Sequence, residues 1–432
     1  MGKMSLENII NWRDNHMSTI RPYKAYRPMS SMVRDIASLP YDVLSRDESK
    51  KMTAENEFSF LHVTKAEIDL PWSVEEHEKQ VYEKAKENLT DMISKNLFEE
   101  EEKESFYVYR LKMKNNEQIG LAVITSIDDY INNNIKKHEH TQQDKVMDRF
   151  NHLEATQANT DPVFMTYKSN DTINEIISSW ISSNSPIYDF IALDDVEHTL
   201  WIIDDEKIIE ELVILFKGID NLYIADGHHI SEAAVNYGLK RREENPNYNG
   251  DEGYNYFLSV LFPDKDLCIL DYNRAIKDLN GYSDTEFVEI LKDKFKVNHY
   301  NSAQPYKPEK KHSFGMYLDF KWYELIAKDE LIDSIDNPLD RLDVSILKNN
   351  IFEPILELYN GGDRIDYIGG NRGLRELEFR LQDGMKVSFS LYPTTVEDFL
   401  EIAGSDNMMP YKSTWFEPKL RGGLFFRKLK KH

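Results

Sequence analysis

Two adjacent histidines follow an aspartate and a glycine in NLYIADGHHISEAAVNYG, residues 221–238. Strand-favouring residues lead into Asp226 and Gly227, and a helix-like pattern follows at once. Glycine permits a positive φ, and the first turn of a helix offers unsatisfied N–H groups and a positive dipole end. His228 and His229 add imidazoles that become cationic near neutral pH, and Asp226 can orient one of them or bind a metal. The turn is therefore suited to bind an anion, although an ordinary Asp-Gly turn with two surface histidines has the same pattern.

A second polar group lies in IKKHEHTQQDKVMDRFNHLE, residues 135–154. In an extended KHEH segment, His138 and His140 share one face and Glu139 lies on the other, apart from both imidazoles. A polar stripe with steps of three and four residues follows on the expected helix: Lys145, Asp148, Arg149 and His152. Such a stripe is most often a solvated face with ordinary ion pairs. We do not expect zinc or another metal here, because a third ligand at a recognisable spacing is missing.

Two glycine-containing stretches near the C-terminus, 361–373 and 409–425, place glycines beside cationic residues. The cations are Arg364, Arg372, Lys412, Lys419 and Arg421. Backbone and side chains in such loops could hold an anion, and short turns between strands would explain the glycines equally well. Neither stretch matches a Walker loop or a dinucleotide fingerprint. Serine and cysteine hydrolases are not indicated, because a G-x-S-x-G elbow is missing and Cys268 lies in an apolar run.

Composition limits the partners that the protein can bind. The sequence has 76 acidic and 53 basic residues and a formal net charge of −23, which repels nucleic acid and anionic membranes. No apolar run reaches the length of about 18 residues that a membrane span needs. The N-terminal residues lack the apolar core of a secretory signal. We therefore expect a cytoplasmic protein that binds neither nucleic acid nor membrane.

Strand and helix patterns alternate along the whole chain and must position these residues. We expect an N-terminal extension at 1–19, an α+β region at 20–134, a module with the HE and DGHH motifs at 135–300, and an α/β region at 301–432. Interspersed strands and helices in every region predict the α/β to α+β class, with mixed sheets.

Several long strings, found in the same order, identify a family. They are IRPYKAYRP, ASLPYDVL, FLHVTKAEIDLP, KKHEHT, YIADGHH, NYFLSVLFPD, LDYNRAIKDLNG, RIDYIGG and KSTWFEPKLRGGL. From Ile20 to Phe426 the chain resembles the bacterial and archaeal family catalogued as domain of unknown function 1015. The family name carries no function.

A second resemblance rests on the order HE, DR, helix, Pro-led strand and DGHH. This order is similar to that of the ParB and sulfiredoxin superfamily, in particular its free-serine kinases, and implies a ParB/sulfiredoxin-like module. The resemblance implies that Glu139 takes the proton of the substrate hydroxyl. It also implies that Asp226, Gly227, His228 and His229 face nucleotide phosphates, with Glu139 and His229 as the catalytic candidates. Phosphoryl transfer requires both a proton acceptor and donors around the moving group.

Three positions depart from the free-serine kinase pattern. Ile230 stands where the pattern has an arginine after the second histidine, and Gln142 and Val146 replace an arginine and a glutamate. The cation that would bind a phosphate through a fork of N–H groups is therefore missing from the motif. Other cations are candidates to replace it: Lys145, Arg149 and Lys412.

The sequence therefore predicts a nucleotide-dependent phosphotransferase that acts on a small hydroxyl metabolite. Free serine is the substrate that the resemblance implies, and Mg²⁺ with ATP or ADP is the expected cofactor. The alternative is a non-catalytic protein that binds a nucleotide or metabolite, which the isoleucine at 230 favours. A ParB-like DNA-associated protein is disfavoured by the net charge.

Overall fold

The computed structural model describes residues 18–359 and 362–429. The extension predicted at 1–19 therefore lies outside the described residues, except for Ser18 and Thr19. Within this described part, none of the helices has both the length and the apolar character needed to span a membrane.

The chain divides into two compact units. The first unit contains the described residues up to Lys137, then Thr141–Leu267, and the described residues from Pro418 onward. The second unit contains His138–His140 and Cys268–Glu417. Each unit is thus built from segments that are distant in sequence.

Strands form the framework of both units. In chain order they are β1 (Ile20–Arg21), β2 (Tyr26–Pro28), β3 (Phe98–Glu100), β4 (Phe106–Met113), β5 (Asn116–Ser126), β6 (Ile135–Lys136), β7 (Ala158–Asn159), β8 (Val163–Tyr167), β9 (Tyr188–Ile191), β10 (Glu197–Ile203), β11 (Leu222–Asp226), β12 (Tyr256–Pro263), β13 (Cys268–Leu270), β14 (Tyr272–Ile276), β15 (Phe295–Tyr300), β16 (Ser313–Leu318), β17 (Lys321–Ala327), β18 (Ile365–Gly369), β19 (Val387–Leu391), β20 (Trp415–Glu417) and β21 (Arg427–Lys428). Most pairs are antiparallel, and the β6–β11 and β8–β12 pairs are parallel.

Helices are interspersed among these strands. In chain order they are α1 (Val33–Ile36), α2 (Arg46–Thr53), α3 (Leu61–Thr64), α4 (Lys79–Ser94), α5 (Ile127–Ile131), α6 (Gln143–Thr156), α7 (Asp171–Ser183), α8 (Glu206–Phe216), α9 (His228–Glu244), α10 (Asp284–Leu291), α11 (Asp329–Asp333), α12 (Asp343–Leu347), α13 (Arg375–Gln382) and α14 (Val396–Gly404). The mixture of several sheets with interspersed helices confirms the predicted fold class.

A nine-stranded mixed sheet forms the centre of the first unit. Its order is β6-β11-β8-β12-β5-β4-β10-β9, and β1 pairs with β5. Every residue of the central strand β12 is buried, which explains its nearly continuous apolar sequence YFLSVLFP. Strands from the regions predicted at 20–134 and 135–300 pair with each other in this sheet, at β5–β12 and β4–β10. The sheet therefore crosses the predicted boundary, because strand pairing joins segments that local patterns treat separately.

The second unit has its own six-stranded antiparallel sheet, in the order β15-β17-β16-β19-β14-β18. Every residue of β16 is buried. On this sheet, Trp322, Tyr317 and Ile368 pack with Leu377 of α13 in a separate apolar cluster. This core holds the strands β14 and β18 in place.

Helices α6 and α9 pack on each other in the first unit. Phe150 and Tyr237 meet edge to face with ring centroids 6.0 Å apart, and Lys240 forms an ion pair with Glu154. The helix that begins with the two histidines is thus held against the helix that carries the polar stripe.

Replacing Gly238 of α9 with alanine should destabilise the protein, although alanine is usually the better helix former. A Cβ atom there would lie 2.5 Å from both the Tyr254 carbonyl oxygen and Ile127 Cδ1. We expect the free energy of unfolding to fall by about 2 kcal/mol in urea denaturation. The matched control is Asn236→Ala on the exposed side of the same helix, which should lose no stability. Equal stability of the two variants would contradict the close approach.

Candidate functional site

The strand-to-helix turn at residues 226–229 belongs to the first unit. Strand β11 ends at Asp226, Gly227 adopts the left-handed conformation with a φ of 96°, and α9 begins at His228. A Cβ on Gly227 would lie 3.4 Å from the Cα of Val163, so another residue would meet both strain and a close neighbour. The predicted turn with a glycine at positive φ is confirmed.

Both oxygens of the Asp226 carboxylate accept hydrogen bonds. Its Oδ1 accepts from the Gly227 N–H at 2.9 Å, and its Oδ2 accepts from Nζ of Lys419 at 2.7 Å. Only 10% of the Lys419 side chain is exposed. Lys419 is one of the cations in the glycine-containing stretches, but it was not among the predicted nucleotide-binding residues. In the sequence Lys419 stands in the string KLRGGL. Residue spacing does not show that this lysine pairs with Asp226.

The two histidines of the turn have different surroundings. His228 is buried, and Nε2 of His229 accepts a hydrogen bond from the Gln142 N–H at 3.1 Å. A ring nitrogen that accepts a hydrogen bond carries no proton, so Nε2 of His229 is not a donor in this arrangement. This contact differs from the donor role that the sequence suggests for His229.

The three departures from the kinase pattern have packing or hydrogen-bonding roles. Ile230 packs against the main apolar core of the first unit, and Val146 is completely buried. Gln142 precedes α6, and its N–H makes the bond to His229. An unpaired arginine or glutamate at the first two positions would lose its hydration.

The polar stripe of α6 is not a solvated face, which corrects that expectation. Asp148 is 8% exposed and accepts hydrogen bonds from Arg149, from Tyr82 at 2.9 Å and from His77 at 3.1 Å. Burial alone would raise the pKa of Asp148, but Arg149 and these hydrogen bonds outweigh it and hold the pKa below its usual range. The guanidinium of Arg149 also lies 3.8 Å from the ring of Tyr41. The charge of Arg149 is thus neutralised by its neighbour, and Lys145 on the same helix is half-buried.

The KHEH segment divides between different environments. His138 is buried, bonds Oγ1 of Thr414 through Nε2 at 3.0 Å, and meets Phe399 edge to face. His140 is exposed and Glu139 is half-buried. The two imidazoles therefore lie in different environments, one buried and one exposed. Among residues 18–359 and 362–429, no group of three His, Cys, Asp or Glu side chains could hold a metal ion.

Arg274 is the centre of a cation–aromatic cluster in the second unit. Its guanidinium lies 4.6 Å from the ring centre of Tyr367 and 5.4 Å from that of Tyr272. It donates to the carbonyl oxygens of Tyr272 at 2.6 Å and Lys412 at 2.7 Å. Burial lowers the pKa of Arg274 to about 10, against the opposing influence of the two tyrosines and Glu139. The side chain is still cationic at neutral pH.

Lys412 belongs to the same cluster. It has a φ of 60°, and its Nζ lies 5.2 Å from the ring centre of Tyr411 and 5.7 Å from that of Tyr272.

The predicted site residues fall into two groups. Glu139 and Lys412 are in the second unit, and the others are in the first. Sequence reasoning missed Arg274, although its string LDYNRAIKDLNG contributed to the family resemblance.

Comparisons with known proteins identify the family. The family model described as "Protein of unknown function (DUF1015)" matches residues 20–345, which confirms the predicted family. No curated protein matches the chain. The chain is similar to solved structures of a conserved hypothetical protein from Pyrococcus furiosus, with a TM-score of 0.34, 13% identity, and coverage of 69% of this chain and 93% of that chain.

Two further solved structures are similar to the chain. One is a free serine kinase variant in complex with AMP, with a TM-score of 0.36, 14% identity, and coverage of 68% of this chain and 87% of that chain. The other is SbnI from Staphylococcus aureus, with a TM-score of 0.36, 10% identity, and coverage of 68% and 82%.

The buried His152 of α6 should make the protein acid-sensitive. Its Nε2 donates to the Val63 carbonyl oxygen at 3.0 Å, and burial, with a contribution from Arg149, lowers its pKa to about 4. The unfolded state, with a pKa near 6.5, takes up the proton first, so stability is lost as the pH falls from 6.5 to 4. The loss from this group should approach about 3 kcal/mol.

The measurement is the free energy of unfolding in urea across this pH range. His152→Gln keeps an N–H donor for the Val63 carbonyl but does not titrate, so its stability should depend less steeply on pH than that of the wild type. The control is His140→Gln, which removes an exposed histidine and should leave the wild-type slope. A wild-type slope in His152→Gln would show that His152 is not the acid-sensitive group.

Proposed function

The chain belongs to the DUF1015 family of proteins of unknown function, and from that premise we propose that it is a nucleotide-dependent phosphotransferase acting on a small hydroxyl metabolite. The observation that carries the proposal is the turn at Asp226–His229. This turn combines a left-handed glycine, the first N–H groups of a 17-residue helix and a lysine ammonium. Helix N-termini with adjacent cations are common phosphate sites.

Lys419 is the cation that we propose in place of the arginine that the turn lacks. The kinase pattern has an arginine where this chain has Ile230, and the ammonium of Lys419 supplies a positive charge at the same turn through its bond to Asp226. A lysine binds phosphate as a point charge rather than through a planar fork. Lys419 is ion-paired with Asp226 as Arg149 is with Asp148, but Lys419 is the cation that bonds a residue of the turn itself.

Glu139 is the proposed general base. Glu139 and Arg274 attract each other electrostatically, and a carboxylate can accept the proton of an alcohol. This role rests on the resemblance of the HE segment to that of free-serine kinases, and free serine is accordingly the first substrate to test. Mg²⁺ would enter with the nucleotide, since this ion is typically held by phosphates and one or two carboxylates.

A second candidate function is nucleotide binding without transfer. It is favoured by the packing of Ile230 and the complete burial of Val146, because both positions serve the core where the kinase pattern has charged residues. Phosphorus NMR separates the two functions when the protein is incubated with ATP or ADP, Mg²⁺ and serine or other hydroxy metabolites. A new phosphomonoester supports the transferase. Thermal stabilisation by nucleotide without product supports the binding protein, and no response to nucleotide contradicts both.

Glu139→Gln should reduce the transfer rate by at least about a hundredfold, because the amide cannot accept the proton. Its affinity for nucleotide, measured by calorimetry, should stay at the wild-type value. The matched control is Glu397→Gln, an exposed glutamate of the same unit, which should keep the full rate. Wild-type turnover in the Glu139→Gln variant would show that Glu139 is not the general base.

Lys419→Met should weaken binding of ADP by about tenfold or more, because a charge-assisted hydrogen bond contributes about 1.5 to 3 kcal/mol. Calorimetric titration measures the change, and a thermal melt checks that the turn still folds. Lys217→Met, which alters an exposed lysine of the same unit, should bind ADP like the wild type. Equal affinities in the two variants would argue against phosphate binding at this turn.

A further inference from the structure

A cavity of about 290 Å³ lies within the second unit and shares no residue with the turn or the Arg274 cluster. Three stretches of chain line it, at 311–312, 338–343 and 392–401. Its volume is just below the range of about 300 to 1,000 Å³ that is typical of pockets for drug-sized ligands. The cavity therefore suits a small metabolite.

Asp343 is the most deeply buried titratable side chain in the lining, with 8% of the residue exposed. Both of its carboxyl oxygens accept from the same donor, the His312 N–H, at 2.9 and 3.1 Å. His312 has a φ of 65°, which turns this N–H toward the carboxyl group. One N–H is a small complement for a carboxylate, which offers about four acceptor sites. Asp343 therefore keeps capacity for a further donor on the side of the cavity.

The other charged groups of the lining carry both signs. Lys311 and Asp398 neutralise each other in an ion pair of 2.7 Å. Arg341 is exposed and is held by a hydrogen bond from Nε to the Ile335 carbonyl oxygen at 2.6 Å. The exposed Glu401 completes the set. After the internal pair is removed, the exposed Arg341, the exposed Glu401 and the buried Asp343 carboxyl group remain.

We propose that this cavity binds a small α-amino acid as a zwitterion, with its ammonium on Asp343 and its carboxylate on Arg341. The ammonium provides the donors that the Asp343 carboxyl group can still accept. The guanidinium of Arg341 presents planar N–H groups that match a carboxylate. Pro338, Leu342 and Pro393 supply an apolar wall for a small side chain. The inference does not rest on the proposed phosphotransferase, because the residues involved are different.

Binding of the ammonium should depend on pH. Burial raises the pKa of Asp343 to about 8, with Asp398 adding to the rise and the His312 N–H and Lys311 opposing it. The imidazole of His312 itself stays neutral, since burial lowers its pKa. Asp343 must lose its proton to hold an ammonium. Affinity should therefore rise by up to about tenfold per pH unit from pH 6 toward pH 8.

Calorimetric titration of the full chain with the proteinogenic L-amino acids, 1-propylamine and propionate tests the proposal. We expect at least one small amino acid to bind, propylamine to bind more weakly with the same pH dependence, and propionate to bind least. Asp343→Asn keeps an acceptor for the His312 N–H and should weaken amino acid and propylamine binding by about tenfold or more. Arg341→Gln should weaken amino acid binding and spare propylamine.

Three outcomes would overturn the proposal. The first is no binding of any amino acid or of propylamine to the wild type at millimolar concentration. The second is amino acid binding that a folded Asp343→Asn variant retains, since this would move the ammonium elsewhere. The third is propionate binding that is as tight as amino acid binding at pH 8, because the ammonium would then contribute nothing to recognition. A thermal melt of each variant separates lost binding from lost folding.

Discussion

The carboxylate of Asp226 joins three parts of the first unit. It fixes the left-handed turn through the Gly227 N–H and holds Lys419 from the C-terminal segment. That segment is itself built into the unit, since Gly422 and Ser38 exchange backbone hydrogen bonds and β21 pairs with β7. A carboxylate near the start of a helix is also stabilised by the positive end of the helix dipole. One side chain thus connects the end of strand β11, the start of helix α9 and the C-terminal segment.

At the same turn, apolar packing and positive charge are provided by different residues. The half-buried Ile230 packs against the apolar core, and a charged group at position 230 would lose that packing. A cation does lie at the turn, in an ion pair with Asp226: it is Lys419, which is separated from Asp226 by 193 residues in sequence. A motif therefore identifies where a turn lies without identifying which cation completes it.

Local patterns predicted what depends on local physics. In the hairpin of β4 and β5, Met113 pairs with Asn116 across a short polar turn, an arrangement that depends on neighbouring residues alone. The glycine at positive φ was predictable for the same reason. The expectation of a solvated polar stripe on α6 was wrong, because polar residues at steps of three and four occur both on solvated helix faces and in buried networks. Tyr82 of α4 reaches Asp148 from a separate helix, and periodicity within α6 carries no information about that contact.

Arg274 and Asp343 in the second unit respond to burial in different ways, and the difference explains which of them has room for a ligand. Arg274 lies over two tyrosine rings and donates to several backbone oxygens, so its charge is compensated within the fold. Asp343 receives a single backbone N–H and keeps its proton at neutral pH. Ion burial is costly unless hydrogen bonds replace the lost hydration. Burial therefore does not itself indicate a binding site. Unmet hydrogen-bonding capacity beside a cavity does, and in this unit that condition describes Asp343.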